Sequence, residues 1–327
     1  IKTLETFIEQ YPQNVYVRRN VIQENIDENL KGLIDRYFRQ DDPLALVSAY
    51  SDYKAKYLLN FRFDITLFQT AVAHRKLGFY DEALDILHFL ETRSGGTIGE
   101  LVQLEKAQAL LEKEDLNEAR NTTARFLNKY PESPYDAEAR QLLARIYRKQ
   151  KSFPMALLVY RQTLRKYDQN KKPLLAEIVP ELYYDLGELH EETGNFVEAG
   201  EAFQAVVSSY NHPLDHPDTP EYIIKSHFLA ADMHNKARNN TTALASYLRA
   251  ISLYENSKNK EIIERVFWAR YQIGTIYLRQ EKDRPALKIF KQLMDEKTGE
   301  GQLWKKLAAE NHRAITRKLA YADYLKE

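Results

Sequence analysis

One arrangement of residues recurs seven times along the 327-residue chain, and this recurrence limits the folds open to it more than any other feature. Each copy predicts two amphipathic helices, because apolar residues recur at helical spacing on both sides of a short polar turn. A small or aliphatic residue marks the same point in the second helix of every copy: Leu46, Ala83, Ala119, Ala156, Ala199, Ala243 and Ala286. Such a chain buries each helix pair only against its neighbours, so the pattern predicts an all-α solenoid.

The clearest copy spans residues 183–210 and carries small and aromatic residues at fixed intervals: Tyr183, Leu186, Gly187, His190, Gly194, Phe196, Ala199, Phe203 and Val206. This order resembles the tetratricopeptide repeat (TPR). The resemblance implies a right-handed superhelical solenoid of antiparallel helix pairs. Within each pair, the small residues Gly187 and Ala199 are expected to let the two helices approach closely, while the aromatic residues fill space toward the next repeat.

The spacing of the anchor residues predicts two sub-arrays. Successive anchors lie 36 or 37 residues apart as far as Ala156, and 43 or 44 residues apart beyond it. We therefore expect an N-terminal sub-array at 1–167, with a partial first repeat and three to four repeats, and a C-terminal sub-array at 168–327 with longer repeats. Residues 1–11 resemble a second helix without its first, which is expected of a processed chain or a fragment. Residues 302–326 predict an amphipathic helix that caps the last repeat.

Composition excludes several kinds of chemistry. The chain has no cysteine, so disulfides, thiolate catalysis and Cys-ligated metals are excluded. No phosphate-binding, dinucleotide-binding or zinc-protease motif is present, and we expect neither a cofactor nor a catalytic residue. His74, His190 and His234 share one repeat position and are interpreted as packing residues. The loop containing His212 and His216 is interpreted as a stiff connector, so we expect no metal site.

The net charge of zero hides two adjacent bands of opposite sign. Residues 140–172 contain ten Lys and Arg against one Asp, whereas residues 173–224 contain eleven Asp and Glu and no Lys or Arg. The bands either neutralise each other across a repeat boundary or form a polarised surface that steers a charged partner. A balanced chain with a pI near 7.3 is not typical of a nucleic-acid-binding protein.

The resemblance implies a partner-binding surface on the first helix of each repeat, at its second, fifth, ninth, twelfth and thirteenth positions. Aromatic residues beside charged ones are expected in a groove that binds a protein or peptide. The alternative is that some of these aromatic residues pack inside the array. The candidate residues are Phe68, Arg75, Arg145, Arg148, Lys149, Tyr184, Glu188, Glu191, Phe228, Trp268 and Tyr271.

The resemblance therefore implies a non-enzymatic scaffold or adaptor that binds a protein or peptide partner. Closing segments such as residues 129–134 are similar in style to those of bacterial cell-envelope members of the family, and the missing cysteine favours a periplasmic location; a cytoplasmic one is the alternative. The alternative functions are a peptide-sensing regulator, which the longer C-terminal repeats favour, and the interaction arm of a larger protein. No apolar run approaches the ~18 residues that a membrane span requires.

Overall fold

The computed structural model describes residues 1–18, 21–53, 64–93, 95–167, 178–210 and 219–324. These residues form seventeen helices and no strand. Fourteen of the helices make seven consecutive pairs: α3 (Val21–Arg39) with α4 (Pro43–Tyr53), α5 (Asp64–Lys76) with α6 (Tyr80–Glu91), α7 (Gly96–Glu112) with α8 (Leu116–Lys129), α9 (Asp136–Lys149) with α10 (Phe153–Tyr167), α11 (Ile178–Glu192) with α12 (Phe196–Ser209), α13 (Glu221–Lys236) with α14 (Asn240–Tyr254), and α15 (Lys260–Arg279) with α16 (Asp283–Asp295). The others are α1 (Lys2–Gln10), α2 (Val15–Arg18) and α17 (Gln302–Tyr324). The predicted all-α fold with seven helix pairs is confirmed.

The anchor residues predicted from the spacing are among the most buried in the chain. Leu46 is 1% exposed, and the six anchor alanines are each 0% exposed. Glycines on two of the first helices also let the second helix of the pair approach closely. A Cβ on Gly187 would lie 2.8 Å from the Phe203 ring, and one on Gly274 would lie 2.5 Å from the Phe290 ring. Small residues therefore set the distance between the two helices of these pairs.

Every first helix ends in the same backbone turn, which the sequence pattern shows only in part. The N–H just before each second helix donates to the carbonyl oxygen five residues earlier, at 2.8–3.0 Å, as in a Schellman motif. The residue preceding that N–H has a positive φ of 52–81° in all seven turns: Asp41, Gly78, Glu114, Lys151, Gly194, Arg238 and Glu281. Glycine adopts this conformation without steric cost, whereas the other five residues are held there by the turn's hydrogen bonds and by packing.

The helices at the two ends of the chain pack on their neighbours. Helix α1 ends as the second helix α8 does: Tyr11 and Tyr130 have similar backbone angles and donate their N–H groups to Phe7 and Phe126. Helix α17 lies against α16, and its Ala308 is fully buried there.

The chain divides into two compact units, Ile1–Val159 and Tyr160–Glu327. The division falls within α10, eight residues before the predicted boundary at 167/168. The connection predicted to join the sub-arrays lies largely at 168–177, outside the described residues. The exact sub-array boundary stays a prediction.

Four histidines are buried in the array. His74, His190 and His234, predicted to be packing residues, are between 4% and 7% exposed. His227 is 6% exposed, and its Nε2 has no hydrogen-bond partner among the described residues. Burial, and then the charge of Arg249, lowers the pKa of His227 to about 4. The folded chain therefore keeps this ring neutral under conditions where an exposed imidazole is protonated.

The turn geometry predicts opposite effects for two glycine substitutions. A Cβ added to Gly194 or to Gly32 would meet no other atom within 4 Å. Only Gly194 has a positive φ, of +77°. Gly194→Ala should lower the free energy of unfolding by about 1 kcal/mol. Gly32→Ala, inside helix α3, should raise it by about 0.5–1 kcal/mol. Urea unfolding followed by circular dichroism measures both, and destabilisation by Gly32→Ala would contradict the assignment of helix α3.

The buried imidazole predicts a loss of stability in acid. The pKa of His227 is lower in the folded chain than the 6.5 of an unperturbed imidazole. Its contribution is therefore fully present above pH 6.5 and is lost as the pH falls toward 4. When the pH falls from 7 to 4.5, the unfolding free energy of both proteins should decrease. The decrease should be about 2 kcal/mol smaller for His227→Gln than for the natural chain.

The control for this experiment is His88→Gln, because the His88 side chain is 74% exposed. It should follow the pH dependence of the natural chain. Identical pH profiles for the His227 and His88 variants would show that His227 does not stay neutral in the fold.

Candidate functional site

The described residues show neither a membrane span nor a metal site. No helix among them is both long and apolar enough to cross a membrane. Within the same residues, no three His, Cys, Asp or Glu side chains are arranged to hold a metal ion. The loop with His212 and His216 lies outside the described part of the chain. The candidate site that the resemblance implies is the first-helix face of each unit, the surface formed by the first-helix positions named above.

In the unit Ile1–Val159, polar side chains tie successive first helices together. Gln69 Nε2 of α5 donates to Asp35 Oδ1 of α3 at 3.1 Å. At the end of the same helix, Lys76 Nζ lies 2.5 Å from Asp41 Oδ1 in the turn that follows α3. These contacts join residues 34 and 35 positions apart, about one repeat in the sequence.

Arg75 takes part in the same inter-repeat bonding. Its Nε donates to Glu105 at 2.5 Å and its Nη1 to Glu112 at 2.7 Å, both on α7. The Arg75 side chain is only 15% exposed. Burial opposes its charge, but the two carboxylates outweigh that effect and raise its pKa. Arg75 therefore holds α5 to α7 and presents little free charge to a partner.

The other candidates in this unit differ in exposure. Phe68 is half-buried and packs against the core formed by helices α3 to α7. Arg145 and Arg148 on α9 are half-buried and already interact with other residues. Lys149, on the last turn of α9, is exposed. Of the predicted basic residues on α9, Lys149 is thus the most available to a partner.

In the unit Tyr160–Glu327, a similar polar network joins α11, α13 and α15. Lys236 Nζ of α13 lies 2.6 Å from Glu191 Oε1 of α11. Asn235 Nδ2 donates to Gln272 Oε1 of α15 at 3.3 Å, and Arg279 donates to the side-chain oxygen of Asn235. Asn235 and Gln272 lay outside the candidate list, although they are 37 residues apart, about one repeat.

A half-buried carboxylate lies within this face. Tyr247 of α14 donates its hydroxyl to Asp232 Oδ1 at 2.5 Å. Burial raises the pKa of Asp232 to about 7, against the opposing effects of the Tyr247 hydrogen bond and of Lys236. Asp232 lies on the first helix α13, and Tyr247 of the second helix in the same pair covers part of it.

Three of the four aromatic candidates in this unit are half-buried. The Tyr184 ring contacts Phe203 and Tyr222, with centroids 5.6 and 5.5 Å away. Trp268 lies edge-on to Tyr247 at 5.9 Å. Tyr271 accepts a hydrogen bond at its hydroxyl from Asn311 of α17 at 3.0 Å. Each keeps part of its ring accessible while bracing the array.

Phe228 requires a correction. It is 1% exposed and lies in the core with its ring 5.8 Å from that of Tyr254. A side chain this buried offers no surface to a partner, so Phe228 stabilises the helix pair and is not a binding residue.

Acidic residues cover one face of α11. Glu181 and Glu192 are exposed, while Glu188 and Glu191 are half-buried. Burial, and then the charge of Glu188, raises the pKa of Tyr184 in their midst. The acidic band predicted from the sequence is therefore an accessible acidic strip in this part of the chain.

Comparison with known proteins identifies the repeat. Two family models, each described as a tetratricopeptide repeat, match residues 104–171 and 180–212. These segments include α8 to α10 in full, and α11 and α12 almost completely. No curated protein sequence matches the chain significantly.

Solved structures share the fold at low sequence identity. The C-terminal part of a TPR repeat-containing protein from Cytophaga hutchinsonii superposes with a TM-score of 0.60 at 14% identity, covering 86% of this chain and 98% of that one. The apo form of RapI gives 0.59 at 12% identity, covering 90% and 87%. PilW, a widely conserved type IV pilus biogenesis factor, gives 0.52 at 14% identity, covering 71% and 96%.

These comparisons agree with the molecule itself. The family models fall on consecutive helix pairs, and the buried anchors and repeated turns extend the same frame over all seven pairs. The resemblance to one repeat family is therefore confirmed. The chain carries tetratricopeptide repeats at residues 104–171 and 180–212, and its fold is an all-α solenoid of antiparallel helix pairs.

Proposed function

We propose that the chain is a non-enzymatic scaffold that binds a protein partner through its first-helix faces and organises a bacterial cell-envelope assembly. The general part of this proposal is that the chain binds another protein. It follows from the repeat family, whose fold serves as an interaction module. The role in the envelope and a periplasmic location are the specific parts of the proposal.

The observation that carries the proposal is the acidic strip on α11. Residues 181, 188 and 192 are spaced so that their carboxylates share one face of the helix. The half-buried ring of Tyr184 lies beside them, and residues 173–224 contain no Lys or Arg. Charge complementarity favours a partner segment rich in Lys or Arg with an apolar or aromatic residue that contacts Tyr184.

Support for the envelope role comes from the sequence and from one protein of the same fold. The closing segment at 129–134 is similar in style to those of envelope members of the family, and the chain lacks cysteine. PilW is described as a type IV pilus biogenesis factor, the kind of assembly role proposed here. At 14% identity that similarity carries the fold alone.

Photo-crosslinking in the bacterial host tests the surface. A probe replacing Tyr184 or Trp268 should capture the same protein, because both rings lie on the first-helix face of one unit. A probe replacing Leu248, which is 54% exposed on the second helix α14, serves as the control and should not capture it. An envelope protein captured from both first-helix positions is the expected result.

Charge reversal then tests the acidic strip with the captured protein. Glu181→Lys combined with Glu192→Lys should weaken binding at low salt by about tenfold or more, and should reduce its salt dependence. The matched control, Glu198→Lys with Glu201→Lys, reverses two exposed carboxylates on α12 and should bind normally. Equal binding by both double variants would contradict the role of the strip, and capture of a short peptide would favour a peptide-sensing regulator instead.

A further inference from the structure

A cavity of about 680 Å³ lies where α14 runs into α15, at the N-terminal ends of α13 and α15. Its size is within the range of sites that hold small organic ligands. Its wall includes three aliphatic side chains, Ile224, Leu253 and Ile262. Leu253 is 43% exposed at this wall.

The charged residues around the cavity leave a net charge of +1. Lys225 is paired with Glu221 at 2.6 Å. Lys258 and Arg265 also line the cavity, and neither forms an ion pair with a described residue. Glu261 is the second carboxylate of the lining. The excess of one cation favours an anionic ligand over a neutral or cationic one.

Tyr254 also lines the cavity. Tyr254 is 6% exposed, and its hydroxyl is buried without a hydrogen-bond partner among the described residues. Burial raises its pKa to about 12, so the hydroxyl keeps its proton at neutral pH. Its ring is braced edge-on by His227, with centroids 5.5 Å apart.

We propose that this cavity binds a monocarboxylate carried on an aliphatic chain. Arg265 and Lys258 neutralise the carboxylate, and the aliphatic chain packs on Ile224, Leu253 and Ile262. The cavity alone defines this site, which is independent of the protein partner proposed for the first-helix faces.

Calorimetric titration with octanoate tests the proposal. Octanoate should bind saturably with one site per chain, whereas octanol and octylammonium, which have the same chain length without the negative charge, should not. Arg265→Gln and Lys258→Gln should each weaken octanoate binding by about tenfold or more. Lys260→Gln removes a neighbouring exposed charge outside the cavity lining and is the matched control.

Absence of saturable octanoate binding would overturn the proposal. So would octanol binding as tightly as octanoate, or equal octanoate affinity in the Arg265, Lys258 and Lys260 variants.

Discussion

Paired helices in this protein approach one another at one small residue per repeat, and much of the rest of the structure depends on that contact. Six of the seven anchors are alanines with no exposed surface, and Gly187 and Gly274 contribute the same kind of contact from the first helix. Close packing within one pair stabilises the fold only when the neighbouring pair covers the remaining apolar face, because each pair buries its apolar surface against its neighbours. The Schellman turn that ends every first helix then fixes how the second helix returns along the first.

A consequence of this stacking is that residues about one repeat apart in sequence meet on the first-helix faces. Arg75 reaches Glu112, and Lys236 reaches Glu191. Ion pairs of this kind contribute little net stability, but they align successive helices and remove charge from the surface. Charges that remain exposed beyond these pairs, such as that of Glu181, are the ones left for a partner. The ion pairs on the first-helix faces thus determine which charged residues stay available for binding.

Much of the fold follows from the sequence because a repeat provides seven independent samples of one pattern. The same argument places Tyr184, Trp268 and Tyr271 on the first-helix faces. It fails for Phe228, because the exposure of that position depends on how the Tyr254 ring of the following helix packs, which spacing does not encode. It also misses the positive φ at Glu114 and Lys151, since sequence patterns signal that conformation mainly through glycine. The cavity beside Tyr254 is formed by a helix end and a connection, which carry no periodic signal at all.

The central claim, one repeat frame through seven helix pairs, is tested most directly by thiol accessibility, because the chain has no natural cysteine to interfere. Single cysteines at the seven anchors should react slowly with a maleimide in the native state. Cysteines two residues later should react rapidly, because each of those positions is exposed: Ser48, Asp85, Asn121, Leu158, Glu201, Ala245 and Lys288. In every helix pair, we predict that the cysteine at the anchor reacts slowly and that the cysteine two residues later reacts rapidly. A pair in which the order is reversed, or in which both positions react alike, would contradict the frame at that repeat.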